Sequence, residues 1–168
     1  MNTITYCRNP SPLGEMLLVA NGDALAGVYF DGQKYLPAIA PDWREAPATP
    51  VLRAARRQLD EYFKGARMRF DLSLAARGTD FQRAVWHAIA AVPWGLTASY
   101  ATIAAGAGRA GSARAAGAAT GRNPWSIVVP CHRIVGSAGA LTGYAGGLDR
   151  KRALLTLESR VAPAALAA

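Results

Sequence analysis

The chain has 168 residues, of which 51% are hydrophobic, and its formal net charge at pH 7 is +8. This length suits one compact domain or two small lobes, and no apolar run reaches the roughly 18 residues that a membrane-spanning helix needs. The two cysteines and two histidines are too few and too scattered for a disulfide framework or a usual zinc site. We therefore expect no metal, no cofactor, a reducing cytoplasm and, because Glu15 interrupts the first apolar stretch, no signal peptide.

The positive charge is concentrated in the second half of the chain. Residues 1–72 hold nine Lys or Arg and eight Asp or Glu, whereas residues 73–168 hold ten and three. This surplus favours a polyanion partner, because phosphate contacts supply most of the affinity that does not depend on sequence. The alternative is a basic surface that only keeps the protein in solution.

Residues 1–72 are predicted to form a supporting lobe with a small antiparallel sheet and one helix. Short apolar segments between turn residues predict three strands, Thr3–Cys7, Glu15–Ala20 and Leu25–Phe30. The proline-containing residues 31–48 are predicted to be a loop. Thr49 and Pro50 then open a helix that Gly65 ends. Its predicted apolar face consists of Leu52, Ala55, Leu59, Tyr62 and Phe63. Nothing in this lobe suggests catalysis, and Cys7 is interpreted as a strand residue.

Residues 73–168 begin with a predicted helix and continue with a predicted helix-turn-helix. Thr79 and Gln82 have the spacing of a capping box, and the helix that follows has an apolar stripe of Phe81, Val85, Trp86 and Ile89. Ser99 is predicted to cap a short helix, and Ser112 a second one over residues 113–120. Apart from Arg114 and Thr120, the second helix has little that can reach a base edge, so it favours DNA binding without much sequence preference. The alternative is an alanine-rich core helix with Arg114 at its rim.

The most informative stretch runs from Ile127 to Ile134. Ile127–Val129 is predicted to be a short buried strand, and Pro130 separates it from Cys131 and His132, which are adjacent. A thiol beside an imidazole indicates a nucleophile with a base, although many buried cysteines are inert and structural. The small residues 143–147 predict a loop that allows close approach to a ligand. Asp149 is predicted to start a last helix, with Glu158 near its end among apolar neighbours.

Read together, these segments resemble the O6-alkylguanine-DNA alkyltransferases, the methylated-DNA–protein-cysteine methyltransferase family, in their stand-alone form. The matching segments are Phe81-Gln82, Val85-Trp86, Gly95 through Ser99-Tyr100, Ala113-Arg114-Ala115, Asn123-Pro124, Pro130-Cys131-His132-Arg133, Gly143 to Leu148, Lys151 and Leu154 to Glu158. The resemblance implies an α/β (α+β) fold in two parts. Residues 1–72 would form the N-terminal lobe, with a small antiparallel sheet and a helix. Residues 73–168 would form a mostly helical domain with the helix-turn-helix and an active-site loop.

The resemblance also implies a reaction. Cys131 would take the alkyl group from O6-alkylguanine, and from O4-alkylthymine, irreversibly and once per molecule. His132 would accept the thiol proton through a water, and Glu158 would hold that imidazole. The three residues would thus act as a catalytic triad with a cysteine nucleophile. Asn123 would hold the strand that carries Cys131, and Tyr100 would donate a proton to the departing guanine.

The implied substrate pocket surrounds the guanine base. The carbonyls of Cys131 and Ile134 would accept hydrogen bonds from its exocyclic amine, and N–H groups around Ala145, where the family often has a hydroxyl residue, would stabilise the leaving group. The implied pocket residues are Pro130, Ile134, Tyr144, Ala145 and Gly146. The base would be flipped out of the duplex, with the second helix in the minor groove and Arg114 filling the gap. The implied DNA-binding residues are Arg114, Tyr100, Ser99, Ala115 and Gly117.

The expected partner is alkylated double-stranded DNA, with no membrane, no obligate protein partner and no cofactor. We expect a monomer, with clustering on DNA left open. Three alternatives are a non-catalytic lesion-binding protein, which would lack the reactive cysteine, a helix-turn-helix regulator and a cysteine hydrolase. The alanine-rich second helix argues against base readout by a regulator, and turnover of an ester would reveal a hydrolase.

Overall fold

A computed structural model describes residues 2–161 of the chain, and its first part is a sheet with one covering helix. The three predicted strands are present as an antiparallel meander of β1 (Ile4–Asn9), β2 (Met16–Asn21) and β3 (Ala24–Phe30). The predicted loop over residues 31–48 also contains a two-residue strand, β4 (Arg44–Glu45), which pairs in parallel with β1. Because β4 is short and charged, it has no apolar alternation that could have predicted it.

The covering helix is α1 (Pro50–Phe63), and most of its predicted apolar face is fully buried. Thr49 precedes the helix as predicted, but its hydroxyl donates to Thr5 Oγ1 (3.2 Å) instead of capping the helix. Gly65 takes the left-handed conformation predicted for it (φ +73°), and the N–H of Ala66 donates to the carbonyl of Glu61 (2.8 Å). These contacts close the last turn as a left-handed cap does.

The second part of the structure is built from four helices, α2 (Asp80–Ala90), α3 (Tyr100–Gly106), α4 (Ala113–Gly121) and α5 (Leu148–Arg160). The capping box of Thr79 and Gln82 and the cap at Ser99 are confirmed by their hydrogen bonds. Ser112 occupies the position before α4 as predicted, but its side chain makes no capping hydrogen bond, because its backbone (φ −101°, ψ 41°) is not in the extended conformation that such a cap requires. Helix α5 starts at Leu148, one residue before the predicted Asp149.

The predicted strand at Ile127–Val129 is wrong. The segment is a series of turns in which Ile127 has φ +71°, although Ile127 and Val129 are buried as expected. A β-branched residue rarely adopts positive φ, so a run of apolar residues gave no sign of this turn. The regular pairing comes just after the cysteine, where β6 (Ile134–Val135) lies parallel to β5 (Ala98–Ser99).

The two parts share one hydrophobic core, and the segment before Cys131 joins them. The N–H of Val28 in β3 donates to the Pro124 carbonyl (2.8 Å), and the Ser126 N–H donates to the Val28 carbonyl (3.0 Å). The sheet therefore supports the chain segment that leads to the cysteine. Within residues 2–161, none of the helices has the length and apolar character needed to cross a membrane.

Candidate active site

The turn that leads to Cys131 is held by one buried amide, that of Asn123. The Asn123 Nδ2 donates to the carbonyls of Val129 (2.8 Å) and Trp125 (3.3 Å), and its Oδ1 accepts from the Trp125 N–H (3.0 Å). Asn123 thus satisfies polar backbone groups of an irregular segment that has no ladder of its own. The sequence predicted that Asn123 would hold this segment; what it holds is a turn instead of a strand.

Cys131 lies at the bottom of a pocket of about 340 Å³ and is 6% exposed. Residues 131–133 form a single 3-10 turn that brings the thiol to the pocket. Burial raises the pKa of the Cys131 thiol, and the nearby Asn123 amide and Lys151 ammonium only partly oppose this. The thiol is therefore protonated at neutral pH and needs a base before it can act as a nucleophile.

His132 has the geometry of such a base. Its side chain is fully buried, and its Nε2 lies 2.7 Å from Glu158 Oε2. Burial lowers the pKa of His132 more than the Glu158 carboxylate raises it, so the imidazole is neutral at pH 7. Since the carboxylate can only accept, Nε2 carries the proton. The other ring nitrogen, Nδ1, is buried with no hydrogen-bond partner among the described residues and keeps a free lone pair.

Glu158 lies in a cluster of hydrogen-bond donors, and the prediction that its neighbours would be apolar is wrong. Its carboxylate accepts from Tyr62 Oη (2.6 Å), Arg133 Nε (2.8 Å) and Arg133 Nη2 (3.0 Å) in addition to His132. Burial alone would raise the pKa of Glu158, but the hydrogen bonds from His132 and Arg133 and the charge of Arg133 lower it to about 2. The carboxylate is therefore ionised and holds the imidazole in one orientation.

Tyr62 and Arg133 are members of the site that sequence reasoning missed. Tyr62 belongs to the apolar face of α1, so its ring predicted core packing, and the supporting lobe was expected to contribute nothing to the chemistry. Arg133 is only 5% exposed and follows His132 directly. A buried arginine requires a carboxylate nearby, and Glu158 is one of only three acidic residues in the second half. That scarcity was the one signal that could have paired them.

Lys151 is a second buried cation, and it fixes the other end of the site. Its ammonium donates to the carbonyls of Ile134 (2.6 Å), Thr142 (2.8 Å) and Gly143 (3.1 Å). These bonds tie β6 to the loop that borders the pocket. The Ile134 carbonyl, predicted to bind the guanine amine, therefore already accepts one hydrogen bond; a carbonyl oxygen has a second lone pair for a ligand.

The structure brings some of the predicted pocket residues to the cavity and not others. Tyr144 and Ala145 line it with Cys131, whereas Pro130 lines a separate groove of about 950 Å³. Gly146 is buried behind the Tyr144 ring, and a Cβ there would lie 2.6 Å from that ring, so only glycine fits. The Tyr144 hydroxyl is buried without a hydrogen-bond partner in the described part of the chain, and burial raises its pKa well above the ordinary value.

The helix-turn-helix forms the outer side of the pocket. Tyr100 and Gly117 line it, and the Tyr100 hydroxyl donates to the Thr142 carbonyl (3.2 Å). Arg114 and Ala115 are exposed on α4, on the solvent side of the buried Ala116 and Ala119. Ser99 caps α3, accepting from the Thr102 N–H (3.1 Å), so its hydroxyl has a structural role in addition to the predicted DNA contact.

A thiol with a neutral imidazole as its base can support alkyl transfer, acyl transfer or disulfide exchange. Across residues 2–161, no three His, Cys, Asp or Glu side chains are grouped as metal ligands. The exposed face of α4 borders the cavity, so a ligand that reaches Cys131 passes the helix-turn-helix.

Comparison with known proteins identifies the family. Residues 80–160 match the family model "6-O-methylguanine DNA methyltransferase, DNA binding domain", and residues 4–76 match "6-O-methylguanine DNA methyltransferase, ribonuclease-like domain". The methylated-DNA–protein-cysteine methyltransferase of Mycolicibacterium paratuberculosis is 45% identical over 97% of both chains.

Solved structures agree in fold along nearly the whole chain. The crystal structure of Mycobacterium tuberculosis O6-methylguanine methyltransferase superposes with a TM-score of 0.87 at 44% identity and covers 96% of both chains. A crystal structure of Mycobacterium tuberculosis OGT in complex with DNA gives a TM-score of 0.86 at 44% identity, covering 96% of this chain and 97% of that one. The chain with its buried Cys131, His132 and Glu158 therefore belongs to the 6-O-methylguanine DNA methyltransferase family.

Proposed function

We propose that this protein repairs DNA by direct reversal, moving the alkyl group of O6-alkylguanine, and of O4-alkylthymine, to Cys131. The observation that carries the proposal is a pocket with a thiol at its bottom beside a buried imidazole that an ionised carboxylate orients. Relatives named for methyl transfer from DNA to a protein cysteine, and a similar structure in complex with DNA, support it.

The chemistry follows from the protonation states. His132 Nδ1 accepts the Cys131 proton through a water, and Glu158 stabilises the imidazolium that results. The thiolate sulfur then forms a bond to the alkyl carbon while the carbon–O6 bond breaks, and its electron pair stays on the guanine. The Tyr100 phenol and the N–H groups near Ala145 stabilise that leaving group, and the departing base regains a proton.

The product at Cys131 is a thioether, which no group in the described site can cleave. Each molecule therefore acts once, and the protein is consumed stoichiometrically.

The surface of α4 fits a role in holding the duplex. Alanine and glycine on its exposed side permit close approach to a backbone, and Arg114 and Ala115 lie there with Gly117. A base inside a duplex must be flipped out before its O6 substituent can reach Cys131, at a cost of a few kcal/mol. We assign Arg114 to the space that the base leaves, as inserted side chains do in other minor-groove proteins.

We assign different roles to the two parts of the chain. Residues 73–168 bind DNA and transfer the alkyl group as a monomer. Residues 1–72 support them, and Tyr62 of that part also donates a hydrogen bond to Glu158. We place this activity in the cytoplasm, where the thiol of Cys131 stays reduced.

The test is intact and peptide mass spectrometry after mixing the protein with a duplex that contains O6-methylguanine. We expect one added methylene per molecule, on the peptide that holds Cys131. The Cys131→Ala variant should bind the duplex and gain nothing, whereas Cys7→Ala should react like the unaltered protein. Lesion binding without mass gain would favour the non-catalytic binder, and methylation elsewhere would refute the assignment of Cys131.

The role of Arg114 has its own test. The Arg114→Ala variant should react much more slowly with O6-methylguanine in a duplex but keep its rate with a free O6-alkylguanine base, because only the duplex requires extrusion. Arg53→Ala, which removes an exposed arginine from α1, is the matched control for lost charge. Equal losses on both substrates would contradict the extrusion role.

A further inference from the structure

We propose that Tyr35, in the supporting lobe, sets the upper size of the O6 substituent that the pocket accepts. Tyr35 and its neighbour Lys34 line the same cavity as Cys131, together with Tyr100 and Thr120. The inference rests on the proposed alkyl transfer and adds a determinant of its specificity. It assigns a role in substrate selection to a lobe that the sequence identified only as a support.

The loop that carries Tyr35 is fixed to the active-site segments by hydrogen bonds on both sides. Gln33 is buried, and its Oε1 accepts from the Phe30 N–H (2.7 Å) and from Ser126 Oγ (3.3 Å). The Lys34 N–H donates to the carbonyl of Ala145 in the pocket loop (3.0 Å). These bonds anchor the two residues that precede Tyr35 beside the pocket.

The Tyr35 ring itself is held by cations. The Arg122 guanidinium, just after α4, lies 3.8 Å from the ring centroid, and the Lys34 ammonium lies 5.1 Å from it. Cation–π contacts of this kind attach the ring to both lobes. The Arg122 guanidinium already covers one face of the Tyr35 ring, so a substrate could stack on that face only by displacing it. Tyr35 therefore acts at the cavity as a fixed wall.

The backbone gives an independent reason to assign a function here. Tyr35 has φ +65°, a conformation that is rare for a bulky residue, and its side chain is 46% exposed. Burial of the ring does not compensate for that strain. Glycine or asparagine would adopt this φ more easily, so the backbone conformation does not explain a tyrosine at this position. A strained residue on the wall of an active-site cavity is the arrangement expected when the side chain serves the substrate.

The experiment compares two adducts in one DNA sequence. Duplexes that carry either O6-methylguanine or O6-benzylguanine at the same position are reacted with excess protein, and the second-order rate constants are measured. Because the duplex is otherwise identical, a change in DNA affinity cancels from the benzyl-to-methyl ratio. The variants are Tyr35→Gly and Tyr35→Asn, which suit the positive φ, and Tyr35→Phe, which keeps the ring.

We expect the two small residues to raise the benzyl-to-methyl ratio by about tenfold or more, the scale at which pocket size discriminates between substrates. Tyr35→Phe should leave the ratio within about twofold, since the ring is the limiting part. Arg122→Gln should raise the ratio less than Tyr35→Gly, because it frees the ring without removing it.

The outcomes separate this inference from the proposed function. Normal alkylation of Cys131 by O6-methylguanine with unchanged ratios in Tyr35→Gly and Tyr35→Asn would overturn the size limit and leave the function intact. A lower ratio in both would also overturn it, since the ring would then be a contact for the bulky group. No alkylation of Cys131 in the unaltered protein would overturn both proposals.

Discussion

The pocket beside Cys131 and the ionic cluster around Glu158 are separated by only a single turn of the chain, yet they differ in how well their buried polar groups are hydrogen-bonded. In the cluster, the carboxylate accepts four hydrogen bonds from three side chains. On the pocket side, both His132 Nδ1 and the Tyr144 hydroxyl are buried with no partner in the part of the chain that the structure describes. The carboxylate that positions His132 is fully satisfied, whereas two of the polar groups on the pocket side are left without a partner.

This difference has an energetic meaning. A buried polar group without a hydrogen bond costs free energy, so the pocket destabilises the fold while the cluster offsets that cost. The cluster also defines a single tautomer of His132, because an ionised Glu158 can only accept. Four variants or conditions test the contrast, from the largest expected effect to the smallest.

Glu158→Gln should have the largest effect, since it removes the charge that Arg133 requires and leaves a buried cation unpaired. We expect the free energy of unfolding in urea to fall by about 3–5 kcal/mol, and alkyl transfer to fall sharply because the imidazole loses its orienting anion. Asp149→Asn on the same helix is the matched control, since its side chain is exposed and should change little. Equal stability of the two variants would contradict a structural role for the cluster.

Acid should weaken the protein through the same carboxylate. The folded-state pKa of Glu158 is lowered from the ordinary 4.5 to about 2. Its contribution, about 3 kcal/mol for a shift of this size, is therefore complete above about pH 4.5 and is lost as the pH falls toward 2. Urea unfolding at a series of pH values measures it. The Glu158→Gln variant should lack this part of the pH dependence, and parallel profiles for the two proteins would refute the assignment.

Tyr62→Phe should have an intermediate effect, because it removes one donor from a carboxylate that keeps its bonds to His132 and Arg133. A hydrogen bond to a charged group contributes about 1.5–3 kcal/mol, and we expect a loss in that range. The variant should also raise the folded-state pKa of Glu158, so that the acid loss of stability begins at a higher pH. A destabilised variant with an unchanged acid profile would mean that Tyr62 acts only by packing.

Tyr144→Phe is the same chemical change on the pocket side, and it should have the smallest effect. The hydroxyl that it removes is buried and unpaired in the described structure, so the free energy of unfolding should stay the same or rise by about 1 kcal/mol. Thermal unfolding beside Tyr62→Phe measures the contrast directly. A loss as large as that of Tyr62→Phe would show that the Tyr144 hydroxyl is bonded in the folded protein.

The sequence predicted those parts of the molecule that local patterns determine. Short apolar segments between turn residues identified β1 to β3, and the capping box of Thr79 identified the start of α2. The motif around Cys131 and His132 identified the family and the reactive thiol. These features depend on residues within a few positions of one another, which is why a single sequence contains them.

Features that depend on distant contacts were predicted poorly or not at all. The turn around Ile127 depends on the Asn123 amide, which bonds to Trp125 and Val129, and on the hydrogen bonds between β3 and the segment before Ile127. The local sequence does not reveal these contacts, so its apolar residues suggested a strand. Tyr62 appeared to be a core residue because nothing near it in the sequence indicates a carboxylate 96 residues away. Tyr35 was placed within a featureless loop, since its meaning depends on Arg122 and on the cavity.

The hydrogen bond between Tyr62 and Glu158 also bears on how the protein folds. Contacts between residues far apart in sequence form late, because the chain must close a long loop before they contribute. The donor set of Glu158 is therefore complete only when α1 has docked against α5. Until that step, His132 lacks its fully fixed anion and Cys131 lacks its positioned base. If Cys131 is the nucleophile and His132 its base, as we propose, the protein can therefore transfer an alkyl group only after α1 and α5 have come together.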